Sequence, residues 1–372
     1  MQKILFLTAT DWWWAKQRPQ FIAEGLSEFY KITYTFPRTY KTRNIVKCQK
    51  ATNPNLELDQ VFKLPLDRFR LIRSINRMLL LLQLRPIIPL YDIIWITHPD
   101  IYKQIKSILP LNTSIVYDCM DDYLEFPNTK RNKKEASGIF NNERMLVNNA
   151  NILIFSAEYL RNKVLARYES QKKCSIVNNA VSKEFLLRSD DEQYSFPGFH
   201  DFKGHIKLVY TGTISAWFDF DLIIRSLKRF DNIVYILAGP LEIKVPSNSR
   251  IIYLGPLSHQ NIKKLYNIAD AFIMPFHDEE LIRSVDPVKV YEYISGCKPV
   301  IVLKYSGTDK FKDFVYRYSN PEEFIALVGQ LSERNLKLKK SKEECNVFTR
   351  ANTWESRVKE IVFGLTPKPE KT

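Results

Sequence analysis

A lysine and a glutamate three residues apart stand in the segment Arg283-Ser284-Val285-Asp286-Pro287-Val288-Lys289-Val290-Tyr291-Glu292-Tyr293-Ile294-Ser295-Gly296. Ser284 or Asp286 can cap a helix, Pro287 suits its first position and Gly296 the residue past its end, so the segment reads as a short helix. Lys289 and Glu292 then share one face. A lysine in a first turn is disfavoured beside the positive end of the helix dipole. An anion held between the helix start and Lys289 removes that penalty, and a nucleoside diphosphate is such an anion. Glu292, one turn deeper, can accept hydrogen bonds from the two ribose hydroxyls of the same nucleotide. On spacing alone, a solvated surface ion pair is the competing reading.

Three further groups invite chemistry. His98 follows the run Ile94-Trp95-Ile96-Thr97, which puts it at the carboxyl edge of a sheet, where open α/β folds bind ligands. Asp118, Asp121 and Asp122 cluster after another such run. Carboxylates this close raise one another's proton affinity, which suits a base that takes a proton from an acceptor hydroxyl; a metal site and a simply capped turn are the alternatives. Trp12, Trp13 and Trp14 lie in the first loop, where a sugar ring can stack its apolar face on them, and one of the three is expected to pack internally.

These residues need elements to position them. Short β-rich runs recur with helical spacers between them, the pattern of parallel sheets covered on both faces. In the first half they are Ile4–Thr8, Ile32–Thr35, Ile93–Thr97, Ser114–Tyr117, Ile152–Ser156 and Ser175–Val177; in the second, Lys207–Thr211, Val234–Ala238, Ile251–Leu254, Ala271–Met274 and Pro299–Val302. Two doubly wound units follow. The polar stretch Arg188–Gly204 is the expected linker, giving an N-terminal domain over 1–190, a C-terminal domain over 205–350, and a helix and tail over 351–372 that can return to the first domain. The spaced glycines of dinucleotide binders are missing after both first strands, which read Ala9-Thr10-Asp11 and Thr211-Gly212-Thr213, so hydride transfer is disfavoured.

With 372 residues, 45% of them hydrophobic, the chain is long for one domain. Its five cysteines show no paired spacing, so neither a zinc knuckle nor a disulfide framework is indicated, and reduced thiols in a cytoplasmic protein are expected. Ile4–Ala9 is too short for a secretory signal. Met78–Leu90 is broken by Gln83, Arg85 and Pro86 and falls short of the roughly 20 apolar residues that span a bilayer. The net charge of +14 is unevenly spread, with 29 Lys and Arg against 18 Asp and Glu in residues 1–190, and 26 against 23 in residues 191–372. Eleven basic residues fall between Arg38 and Arg85, and Phe69–Leu80 reads as a basic amphipathic helix, with apolar residues at 71, 72, 75, 78 and 79. Such a helix can lie on an anionic membrane surface; a core helix with solvated arginines fits the pattern equally.

The segment around Lys289 resembles the donor-binding helix of family 4 type glycosyltransferases, in which a Pro-x-Lys-x-x-Glu-Tyr run precedes a glycine and a Pro-Val pair, here Gly296 and Pro299-Val300. Gly255-Pro256-Leu257, Leu265-Tyr266, Ala269-Asp270 and Met274-Pro275-Phe276 follow that family's order, as do Leu208-Val209-Tyr210-Thr211-Gly212 with Asp219-Phe220-Asp221. In the first half, Lys16-Gln17-Arg18-Pro19-Gln20, Trp95-Ile96-Thr97-His98, Tyr117-Asp118-Cys119-Met120-Asp121-Asp122 and Val177-Asn178-Asn179-Ala180-Val181 match too, so the resemblance covers nearly the whole chain. It implies the α/β fold called GT-B, two Rossmann-like doubly wound domains facing a central cleft. It also implies a nucleotide-sugar donor held by Gly212, Thr213, Gly255, Leu257, Pro275, Arg283, Asp286, Lys289 and Glu292, with Lys289 and amides near Gly212 neutralising the diphosphate. His98 would hydrogen-bond the donor sugar, and Asp121 is the candidate base.

The same resemblance implies retention of anomeric configuration with no protein nucleophile, and no metal. The chain departs from the family at Ser284, where many relatives carry a sugar-contacting glutamate, at Thr213, where an arginine is common, and at Asn179-Ala180-Val181-Ser182 in place of Asn-Gly-Val-Asp. The expected function is sugar transfer to a saccharide or polyprenyl-linked acceptor in cell-surface polysaccharide biosynthesis, in the cytoplasm or on the inner face of the membrane. A basic nucleic-acid-binding protein is the rival from another class, although no recognised nucleic-acid motif appears. A sugar-nucleotide epimerase on the same fold is the enzymatic rival.

Overall fold

The computed structural model describes residues 1–13, 16–38, 53–66, 69–186, 195 and 202–365. The chain divides into two compact units, Met1–Asn179 with Trp354–Thr372, and Ala180–Thr353. The division falls ahead of the 188–204 stretch, most of which lies outside the described residues. Its physical basis is Val181, which bridges Thr353 and is buried in the second unit's core.

Unit 1 runs β1 (Lys3–Leu7), α1 (Arg18–Leu26), β2 (Lys31–Arg38), β3 (Leu56–Phe62), α2 (Arg70–Leu84), β4 (Ile93–Ile96), α3 (Pro99–Ile105), β5 (Ser114–Cys119), α4 (Pro127–Arg131), α5 (Lys133–Asn149), β6 (Ile152–Phe155), α6 (Glu158–Arg167) and β7 (Cys174–Ile176). Its sheet is parallel throughout, in the order β3-β2-β1-β4-β5-β6-β7. Phe6 stands in register with Tyr34 on one side and Trp95 on the other, and the three rings stack across the strands at 5.4 and 5.3 Å. All three are fully buried, each worth about 1.5–3 kcal/mol of apolar burial. β3 escapes the sequence reading because Glu57, Asp59 and Gln60 interrupt it; as an edge strand it buries only Leu56 and Val61.

Unit 2 runs β8 (Ile206–Thr211), α7 (Phe220–Arg229), β9 (Ile233–Ala238), β10 (Ile251–Tyr253), α8 (His259–Ile268), β11 (Ala271–Met274), α9 (Glu280–Arg283), α10 (Val288–Ser295), β12 (Val300–Leu303), α11 (Ser306–Asp309), β13 (Tyr316–Tyr318), α12 (Pro321–Ser332) and α13 (Lys342–Ala351). Its sheet, also parallel, has the order β10-β9-β8-β11-β12-β13. Both sheets therefore reverse direction beside their first strand, at β1/β4 and β8/β11, which is the switch point where doubly wound folds bind ligands.

The last helix, α14 (Trp354–Leu365), belongs to unit 1, where Trp354 stacks on Phe21 of α1 at 5.0 Å. A Cβ on Gly25 would fall 2.4 Å from Val358, so the close approach of α14 requires glycine there. No described helix is long and apolar enough to cross a membrane.

Candidate functional site

In unit 2, glycines shape the carboxyl edge of the sheet. Gly212, Gly239 and Gly255 follow β8, β9 and β10 with positive φ. A Cβ on Gly239 would lie 2.0 Å from the Gly212 carbonyl oxygen, so these two loops touch backbone to backbone. Gly212 N donates to Ala238 O (2.9 Å), Ile214 N to Pro240 O (2.8 Å) and Gly239 N to Gly255 O (2.9 Å). The amides of Gly212 and Ile214, expected near the diphosphate, are thus already spent. Thr213 O accepts from the Tyr210 hydroxyl (2.9 Å), Leu257 is half-buried against the core, and Pro275 O accepts from Asp219 N (2.8 Å). Asp219 itself caps α7, its Oδ1 accepting from Asp221 N and Leu222 N.

α10 begins at Val288, one residue later than the spacing implies, with Pro287 at its N-cap and no side chain capping it. Ser284 instead donates back to Glu280 O (3.1 Å). Asp286 is buried, ion-paired with Lys310 and bonded by the Tyr291 hydroxyl at 3.4 Å. It anchors α10 to α11 rather than capping the helix, and its place in the donor set has a competing occupant. Gly296 has ordinary helical φ, the left-handed residue being Cys297 (φ 48°). Glycine is needed because a Cβ there would lie 2.5 Å from Phe272 of β11.

Lys289 Nζ lies 2.7 Å from Glu292 Oε2. The pair is not a solvated one. Glu292 is 6% exposed, and the Tyr266 hydroxyl of α8 donates to its Oε2 at 3.2 Å; Lys289, 31% exposed, reaches it from the open side. Thr211 N donates to the Tyr293 hydroxyl (2.8 Å), and Thr211 Oγ1 lies 2.9 Å from that of Tyr266. Helix α10 is thereby bonded, through two tyrosines, to the end of β8 beside the switch point. Arg283, on α9, forks Asp278 at 2.8 Å through Nε and Nη2, so its charge is matched within α9 and the loop before it.

In unit 1, the three aspartates part company. Arg18 forks the buried Asp118 (Nη2 to Oδ1 2.8 Å) and donates to Val177 O (2.7 Å), tying α1 to the ends of β5 and β7. Asp122, also buried, meets Arg167 at 2.6 Å and Lys163 at 2.9 Å; these partners outweigh its desolvation and hold its pKa below the usual range. Only the half-buried Asp121 has no such partner, and burial, opposed by Arg18 and reinforced by Asp122 and Asp118, raises its pKa to about 6. Mutual repulsion, the cause expected from spacing, is secondary to desolvation. Among the described residues no three His, Cys, Asp or Glu gather as a metal would need.

His98 is the N-cap of α3, its Nδ1 accepting from Asp100 N (3.2 Å). Burial lowers its pKa, so the ring is neutral and its proton sits on Nε2. Its ring lies 4.4 Å from that of Tyr123, whose hydroxyl donates to Thr97 O (2.6 Å), which brings His98 beside the loop of Asp121. Behind that loop, buried Glu143 accepts from Tyr117, Tyr168 and Arg167, a network no spacing in the sequence announces. Trp12 packs edge-on against Tyr34 at 4.8 Å, and Trp13 N donates to Asp11 (2.9 Å); Trp14 lies outside the described residues.

α2 buries only part of its expected apolar face: Ile72, Ile75 and Leu79 are half-buried, whereas Leu71 and Met78 are exposed. Asn76 and Gln83 turn inward and pair with the backbone of Leu64 and Phe62, while Leu71 (71% exposed), Met78 (55%) and Leu82 (63%) form an outward stripe. Arg70, Arg73, Arg77 and Arg85 are exposed around it. On the other side Leu84 is buried in the core of unit 1 and Leu80 packs against it, so α2 is a core helix on one side and carries an exposed apolar stripe on the other.

No family model matches the chain. In sequence it is 23% identical over 260 residues to TuaH of Bacillus subtilis (strain 168), provisionally named a teichuronic acid biosynthesis glycosyltransferase; the match covers 65% of this chain and 64% of that protein. Among solved structures it is similar to sucrose-phosphate synthase from Thermosynechococcus elongatus (TM-score 0.73, 10% identity, 98% of this chain and 100% of that one). It is likewise similar to HepE of Anabaena in complex with UDP-glucose (TM-score 0.71, 13% identity, 98% and 99%). An α,α-trehalose-phosphate synthase (UDP-forming) from Burkholderia vietnamiensis also matches (TM-score 0.66, 10% identity, 98% and 99%). Nothing in these comparisons supports the nucleic-acid rival. By fold the chain is a GT-B protein built of two parallel α/β units, similar in sequence and structure to glycosyltransferases.

Proposed function

We propose that this chain transfers a sugar from a nucleoside diphosphate sugar to a saccharide or polyprenyl-linked acceptor in cell-surface polysaccharide assembly, with retention of anomeric configuration. The observation that carries the reading is the Lys289–Glu292 pair on the first turns of α10, buried on its acid side and linked through the Tyr266 hydroxyl to Thr211 at the end of β8. As the bond from the sugar to the diphosphate lengthens toward an oxocarbenium-like state, charge builds on the departing phosphate. Lys289 and the N-terminal amides of α10 supply the opposing charge, so no metal is called for. Glu292 accepts from the ribose hydroxyls. In unit 1, the Nε2–H of His98 serves as donor to a sugar hydroxyl, and Asp121 takes the proton from the acceptor. UDP-sugars are the first donors to test, because HepE is solved with UDP-glucose. The outward stripe of α2 and its arginines support a peripheral place on an anionic membrane, on its cytoplasmic face.

The test is a thermal-shift screen of nucleoside diphosphates and their sugars. A ligand at 100 times its Kd adds about 2.7 kcal/mol, a rise of several degrees in Tm. The reading predicts such a rise with at least one of them, followed by nucleotide release that needs acceptor and survives EDTA. No rise with any, or donor consumption without acceptor as in the epimerase reading, contradicts it.

A further inference from the structure

Tyr266 enters the α10 site from another element and is itself buried. Its hydroxyl lies 2.9 Å from Thr211 Oγ1 and 3.2 Å from Glu292 Oε2. The end of this chain sets its direction. Glu292, paired with Lys289, only accepts, so the single proton of Tyr266 goes to Oε2 and the Thr211 hydroxyl must donate to Tyr266. Thr211 is held in turn by Tyr293, which accepts from its N at 2.8 Å and donates to its O at 3.3 Å. Oε2 thus has two donors, Tyr266 and Lys289, and among the described residues Oε1 has none. When a diphosphate draws Lys289 away, Tyr266 is the group that keeps Oε2 partnered.

We propose that Tyr266 and Thr211 are positioning residues that pin Oε2 of Glu292 and hold Oε1 out to receive ribose hydroxyls, so that together they set the chain's demand for an intact ribose diol. The inference rests on the reading of α10 as the nucleotide helix. Without the tyrosine hydroxyl, the carboxylate turns freely about its last torsion, and Lys289 and the ribose compete for the same oxygen. The loss falls on the diol contact alone, because phosphate and base are held by other groups.

The experiment is calorimetric titration of the full chain with UDP and with 2′,3′-dideoxy-UDP. Wild type is expected to favour UDP. Tyr266→Phe is expected to lose about tenfold of that preference, the value of one charge-assisted hydrogen bond, entirely through weaker UDP binding. Thr211→Val, which removes the donor that orients the Tyr266 hydroxyl but leaves that hydroxyl in place, should lose a smaller part of the preference in the same way, and Thr211→Ser, which keeps the donating hydroxyl, should keep the wild-type ratio. A merely structural role would weaken both ligands together. Tyr266→Phe that keeps the full preference, or lowers both affinities alike, overturns the proposal; should that variant not fold, Thr211→Val against Thr211→Ser decides it by the same ratio. Wild type that ignores UDP, or binds the two nucleotides equally, removes the reading of α10 itself and with it this inference.

Discussion

At the scale of single residues, function and stability pull against each other most clearly at Asp121. Its folded pKa, about 6, stands above the ordinary 3.8. The fold therefore favours the protonated form, a stabilisation present in full below the unfolded pKa and lost as pH rises through about 6. Above that, an ionised, half-buried carboxylate destabilises the fold, a cost inherent in the proposed role of Asp121 as base. Asp121→Asn mimics the neutral form, so at pH 7.5 it should unfold at higher temperature than wild type, by roughly 1–2 kcal/mol once solvent screening is allowed for, with the gap closing by pH 4. The same variant should lose on the order of 10²-fold in turnover, and wild-type turnover should fall as pH drops through 6. Melting curves across pH and matched rates check both halves. A variant less stable than wild type at pH 7.5 would mean that Asp121 is not desolvated as described. Asp122 has the opposite sign: Arg167 and Lys163 hold its pKa below the usual range, so the stability it contributes is lost as pH falls.

At the scale of elements, the parallel strands were legible because each is a short β-branched run closed by a polar turn. The exceptions have local causes: β3 alternates acids with aliphatics at an edge, and β13 is only Tyr316-Arg317-Tyr318. The helix of Lys289 and Glu292 was legible from Pro287 and Gly296, yet its start was misplaced, because Asp286 finds Lys310 rather than the helix amides. What no spacing could reveal is the cross-element bonding. Tyr266 lies 26 residues from Glu292 and 55 from Thr211, and Arg18 lies 100 from Asp118. α2 poses its own test. With Leu71, Met78 and Leu82 outward and no acid between Arg70 and Leu84, it should bind vesicles containing anionic lipid and release them as salt rises. Arg73→Glu with Arg77→Glu should cut co-sedimentation at least tenfold, each charge near an anionic surface being worth about 1 kcal/mol, while leaving UDP binding intact. Equal sedimentation of the variant, or binding to neutral vesicles as well, would sink the membrane role.

At the scale of the whole molecule, each unit repeats one solution, a parallel sheet whose strand order reverses beside its first strand. Unit 2 carries the Lys289–Glu292 pair braced by tyrosines, and unit 1 carries a neutral His98 and the half-buried Asp121 with its raised pKa. In the proposed reaction α10 holds a nucleoside diphosphate, with Lys289 on the phosphate. Calorimetric titration of UDP into wild type and Lys289→Ala tests it most directly. Losing one charge-assisted contact to phosphate should weaken binding by about 10- to 100-fold, alongside a lower Tm without ligand, because Glu292 loses its ion-pair partner. Equal UDP affinity in the two proteins would contradict the account.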